Sequence, residues 1–123
     1  MIVRVIAHTM TKDSFMLELT TQNFQHEILE SDKPTLVYFF SPVGCAPCKI
    51  LSPVVEKLHE ELNDTLKMGR LNIYPNMPVT LKYNIMTAPV LLLFVKGEPV
   101  VRLQGYHPRE KILAELNPYL TVG

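Results

Sequence analysis

Leu36-Val37-Tyr38-Phe39-Phe40-Ser41-Pro42-Val43-Gly44-Cys45-Ala46-Pro47-Cys48-Lys49 runs an apolar stretch straight into a pair of cysteines. The first five residues are continuous and β-favouring. Apolar residues on both faces of such a strand imply cover on both sides of a sheet. Downstream, Lys49 to Leu62 repeats its apolar residues with a helical period, so a helix follows the strand. The loop Ser41–Gly44 lies between them. Cys45 and Cys48 are the only cysteines of the chain, and they sit at the strand-to-helix junction.

That position has chemical consequences. The free N–H groups and the dipole of a helix N-terminus stabilise a thiolate, so Cys45 is expected to have a lowered pKa. Thiolates attack disulfides, and the pair points to thiol–disulfide exchange. Zinc wants four ligands; no second Cys-x-x-Cys exists, and His8, His26, His59 and His107 show no ligand spacing. Two buried structural thiols, or a cluster bridged between two chains, are the remaining alternatives.

Outward from the junction, the chain reads as one mixed α/β unit. Phe15–Leu19 alternates as a short strand. A helix capped by Thr20 or Thr21 runs to Glu30, with Phe24, Ile28 and Leu29 inward. Ser31-Asp32-Lys33-Pro34 is a break before the strand Thr35–Phe40. Pro53 lies inside the long helix and is expected to kink it. Met68–Ile73 is a third strand, and 75–83 holds a loop and a short helix. Val90–Val95 and Val100–Leu103 form a hairpin around Lys96-Gly97-Glu98. Pro108 opens a last helix through Tyr119. The order β-α-β-α-β-α-β-β-α gives a central mixed β-sheet flanked by helices on both faces.

Composition limits the function. The chain has 123 residues, 47% of them apolar, which suits one domain with a real core. Twelve basic residues balance twelve acidic ones, so no basic field calls for nucleic acid or anionic lipid. The longest apolar runs are too short to span a membrane. Met1–Ala7 is apolar but brief, is interrupted by Arg4, and lacks a small-residue cleavage site. It reads as an extra strand or a tail, which makes residues 1–14 an N-terminal extension and 15–123 the domain. The expected location is cytoplasmic, where two close cysteines serve catalysis or metal rather than a structural framework.

In this order of features the chain resembles the thioredoxin family over residues 15–120. The resemblance rests on Cys45-Ala46-Pro47-Cys48-Lys49 after an apolar strand, on Pro53 five residues beyond the second cysteine, and on Leu71-Asn72-Ile73. It rests also on Thr87-Ala88-Pro89 before Leu91-Leu92-Leu93-Phe94, on the Lys96-Gly97 hairpin, and on Gly105 after the last strand. It implies a thioredoxin-like fold and a cis Ala88–Pro89 bond facing the cysteines and keeping metal from them. It implies protein disulfides as substrates, with Gly44, Ala88, Pro89 and Gly105 as the substrate-binding positions. It also implies an external reductant, NADPH through a flavoprotein thioredoxin reductase or another dithiol protein. No bound cofactor is expected beyond a redox-active Cys45–Cys48 disulfide, and the protein is expected to be a monomer.

Within that scheme Cys45 is the nucleophile and Cys48 the resolving thiol, since three-residue spacing on a helical turn brings the sulfurs within bonding reach. Ala46 and Pro47 tune the redox poise. Ala46 stands where glycine is usual, and the absence of a histidine between the cysteines favours a reductant. The chain departs from the family in other ways. It has no tryptophan: Gly44 and Phe40 stand in the usual tryptophan places, and the loop before Cys45 is one residue longer. The proton-relay positions hold Tyr38 in place of an aspartate and Arg70 in place of its lysine partner. Tyrosine, with an ordinary pKa of about 10, is a poor base at neutral pH. Water or another group is then expected to deprotonate Cys48, with slow resolution; equal mixed-disulfide lifetimes in wild type and Tyr38→Asp would contradict this. The rival reading is a thioredoxin-fold binding module or a dedicated single-partner electron carrier. His59 is expected on the surface, His107 in a structural or solvent role, and Tyr38, Tyr74 and Tyr83 as packing residues.

Overall fold

The computed structural model describes residues 16–120; the expected extension at 1–14 lies outside them. Five strands form one sheet in the order β1-β3-β2-β4-β5: β1 Leu17–Leu19, β2 Thr35–Phe40, β3 Lys67–Asn72, β4 Val90–Val95 and β5 Glu98–Gln104. β3 runs parallel to both β1 and β2, while β4 is antiparallel to β2 and to β5. The helices are α1 Gln25–Leu29, α2 Ala46–Leu62, α3 Met77–Lys82 and α4 Arg109–Leu120. The element order is the expected one.

Strand alternation divides the core into two layers. Leu36 and Tyr38 of β2 and Leu91 and Leu93 of β4 face α2 and α4, where they meet Leu51, Val55, Leu58, Ile112 and Leu116. Val37, Phe39, Val90, Leu92 and Phe94 face the other way, onto Phe24, Ile28 and Val79. β2 and β4 are buried on both faces, which is why each reads as an unbroken apolar run.

The first helix is shorter than expected and is a π-type segment beginning at Gln25. The cause is local. Thr20 N–H donates to Asn23 Oδ1 at 2.8 Å, and Asn23 N–H donates to Thr20 Oγ1 at 3.2 Å. These side-chain bonds hold 20–23 as a turn and delay the helix. The β4–β5 hairpin turns through Lys96 (φ 51°) and Gly97 (φ 82°). A side chain at Gly97 would meet the Leu29 carbonyl oxygen at 3.0 Å, so both backbone sign and space select glycine there.

His59 corrects the sequence reading, for it is buried rather than exposed. It follows Val55 by four residues and so lies on the same helical face as Cys48, Leu51 and Val55. Neither ring nitrogen has a hydrogen-bond partner among the described residues.

Candidate active site

β2 ends at Phe40, and the loop after it turns at Gly44, whose φ of 67° belongs to the left-handed region. Cys45 then adopts extended backbone (φ −118°, ψ 91°) and caps α2. Its sulfur accepts the Cys48 N–H at 3.2 Å, which satisfies one of the free donors of the first turn. Ala46 and Pro47 form the start of the helix. Pro47 has no N–H to leave unpaired, and its fixed φ suits that position. Cys45 and Cys48 are joined as a disulfide with Cα atoms 5.2 Å apart. Both residues are buried, at 8% and 4% exposure.

In front of Cys45 lies an open groove of about 370 Å³. The Ala88–Pro89 bond is cis, and the Ala88 carbonyl oxygen is 3.6 Å from the Cys45 sulfur. Gly44 and Ala88 line the groove. Pro89 and Gly105 are not among its lining residues; Gly105 N–H donates to the Pro89 carbonyl at 2.8 Å and ties the end of β5 to the segment carrying Ala88. Val43, Tyr74, Met77 and Met86 complete the groove and are all well exposed, Met86 at 77%. Tyr74 therefore faces the groove rather than the core, whereas Tyr83 does pack, edge-on to Phe94. Nothing in the sequence reading marked Met77, Met86 or Tyr74. They come from segments distant in sequence, and only the return of 85–89 toward α2 gathers them. Among the described residues, no charged one lines the groove.

Behind the disulfide is a second, smaller cavity of about 190 Å³. Tyr38, Cys45, Cys48, Lys49, Ser52 and Arg70 are among its walls. Tyr38 is buried, and its hydroxyl bonds the Cys48 carbonyl at 3.1 Å and Ser52 Oγ at 2.8 Å. The expectation of a core aromatic with a locally satisfied hydroxyl holds, and Ser52 is the partner that sequence alone had no means to name. Burial pushes the Tyr38 phenol above its ordinary range, against the pull of the Ser52 hydrogen bond and the Arg70 charge. The phenol thus stays protonated at neutral pH. Arg70 pairs with Tyr38 across β2 and β3; it donates to Glu18 Oε1 at 2.9 Å and stacks its guanidinium 5.4 Å from the Phe40 ring centroid. Phe40, in one of the tryptophan places, thus packs against a cation.

Among the described residues no three His, Cys, Asp or Glu gather as a metal-ligand group. No described helix is long and apolar enough to cross a membrane.

A helix-capping cysteine pair beside a cis-proline loop, on a mixed sheet covered on both faces, defines a dithiol–disulfide oxidoreductase. Comparison with known proteins supports that class. The thioredoxin family model matches residues 15–118. A thioredoxin of Alicyclobacillus acidocaldarius subsp. acidocaldarius is 40% identical over 100 residues, which cover 81% of this chain and 93% of that protein. A Porphyra purpurea thioredoxin is 33% identical over 104 residues, 85% of this chain and 96% of its own length. Thioredoxin C-2 of Corynebacterium nephridii is 36% identical over 99 residues, covering 80% and 91%. The chain belongs to the thioredoxin family. It is a thiol–disulfide oxidoreductase of the protein-disulfide reductase type, and the binding-module alternative is not favoured.

Proposed function

We propose that this protein reduces client protein disulfides through a Cys45 nucleophile and a Cys48 resolving thiol. The observation that carries this assignment is the placement of the Cys45 sulfur at the α2 N-terminus and at the wall of the uncharged groove, 3.6 Å from the Ala88 carbonyl. In the reduced protein the Cys45 thiolate attacks a client disulfide. One client sulfur leaves as thiolate and takes a proton, and a Cys45–client mixed disulfide remains. Cys48, as thiolate, then attacks the Cys45 sulfur. The Cys45–Cys48 bond forms, the client bond breaks, and the second client sulfur leaves and is protonated. The client gains two electrons and the dithiol loses two.

Ala46 and Pro47 set the poise of the pair. The Ala88 backbone, with Gly44 beside it and Pro89 and Gly105 holding the loop, receives an extended client segment in the manner of an added strand. Regeneration needs a reductant outside the chain, and NADPH through a flavoprotein thioredoxin reductase fits that need. The protein acts as a cytoplasmic monomer on protein substrates, with no resident cofactor.

The test is insulin reduction coupled to NADPH and a flavoprotein thioredoxin reductase, run beside Cys48→Ser. Wild type should consume NADPH in proportion to insulin reduced, and Cys48→Ser should accumulate client adducts on Cys45 seen by mass spectrometry. Absence of NADPH consumption with activity on dithiothreitol retained would reject the NADPH-linked flavoprotein as the reductant. Adducts found elsewhere than Cys45 would reject the assigned roles.

A further inference from the structure

The cavity behind the disulfide is lined by both cysteines and, among the described residues, by no carboxylate; its charged walls are Lys49 and Arg70. Resolution requires Cys48 as a thiolate, and a buried thiol surrounded by apolar groups resists ionisation. The phenol of Tyr38 cannot take the proton at neutral pH, because it is itself protonated, donates to the Cys48 carbonyl and shares a second hydrogen bond with the Ser52 hydroxyl. Hydroxyls from Tyr38 and Ser52 and positive charge from Lys49 and Arg70 thus line the same cavity as Cys48. Resting on the reductase reading above, we propose that Arg70 is a positioning residue for resolution: its fixed positive charge favours the Cys48 thiolate directly, and the proton leaves to solvent through the cavity. Charge attraction here stands in place of a general base.

The sheet holds that charge in place. Tyr38, Phe40 and Arg70 project on the face that α2 covers, with Tyr38 and Arg70 in register on adjacent strands. The Phe40 ring and the Glu18 carboxylate fix the guanidinium, which is 45% exposed, so solvent and Glu18 both moderate its field. Charged and titratable groups reach the surroundings of Cys48 from four elements. Tyr38 comes from β2, Arg70 from β3 and Glu18 from β1. Cys45 caps α2, and Lys49 and Glu56 come from that helix, with Glu56 close enough to act on the Tyr38 phenol.

The experiment titrates the Cys48 thiol in a Cys45→Ser background by its thiolate absorbance, with no client present. Arg70→Met should move the midpoint upward by about half a unit or more, roughly threefold less thiolate at neutral pH. Arg70→Lys should restore most of the shift, Glu18→Gln should move the midpoint downward, and high salt should shrink all three differences. An unchanged midpoint in Arg70→Met overturns the proposal. So does a shift that Arg70→Lys fails to restore, which would mark a packing role. Insulin reduction by the parent protein is read separately. Its loss would defeat the reductase reading without touching the titration, and its persistence with an unmoved titration would defeat Arg70 alone.

Discussion

The two sides of the Cys45–Cys48 disulfide are built from different materials. In front, the groove is open, uncharged and lined by Val43, Tyr74, Met77 and Met86, with a backbone carbonyl presented beside the sulfur. Behind, the cavity is smaller and closed by Tyr38, Ser52 and two cations. Flexible thioethers and exposed apolar surface suit contact with many client segments. Hydroxyls and fixed charge suit control of one thiol. On the proposed function the contrast would divide the work: the front to select and hold the client, the back to prepare Cys48.

If the division is real, each side should fail in its own way. The largest effect is expected at the front. Met86→Glu places a carboxylate in an uncharged groove and should lower kcat/KM for insulin roughly tenfold, chiefly through KM. The Cys48 titration should stay where it was, and a shift there would break the comparison. At the back, Tyr38→Phe removes the hydroxyl that bonds the Cys48 carbonyl and Ser52. It should cost about 1 kcal/mol in denaturant unfolding and alter mixed-disulfide lifetime while leaving client KM unchanged.

The far end of α2 supplies the control. His59→Leu removes two buried ring nitrogens that lack partners and keeps the apolar contact. Stability should be unchanged or higher by about 1 kcal/mol, with insulin reduction unaffected. The smallest effect concerns Glu27 and Lys67, whose side chains pair at 2.8 Å. The Lys67 hydrogen bond holds the Glu27 carboxyl below its usual range, against the opposing effect of burial. A depressed carboxylate pKa contributes stability above the unfolded value and loses it as pH falls through the folded one. Wild type should therefore exceed Glu27→Gln by less than about 1 kcal/mol at neutral pH, with the difference vanishing on acidification through the carboxylate range. A gap that widens in acid would contradict the pairing.

Most of the fold was legible because its signals are local. Leu36–Phe40 and Val90–Val95 are continuous apolar runs, and double-sided burial is what such runs mean. The cysteines and Pro89 were legible by motif and order. What stayed hidden depends on distance or on competing local bonds. The reciprocal Thr20–Asn23 bonds shortened α1. His59 looked exposed because its residue type outweighed its spacing from Val55, although that spacing was in plain view. Ser52 acquires meaning only when α2 packs on Tyr38 of β2, and Tyr74, Met77 and Met86 only when their segments meet Cys45. Their positions follow from tertiary packing, which no local pattern encodes.

The central claim is that Cys45 attacks client disulfides from the end of α2. Its most direct test is dithiothreitol-driven reduction of insulin by wild type and by Cys45→Ser. Rapid reduction by wild type that falls to the rate of dithiothreitol alone in Cys45→Ser is the predicted result. Equal acceleration by both proteins, or none by either, would contradict the account.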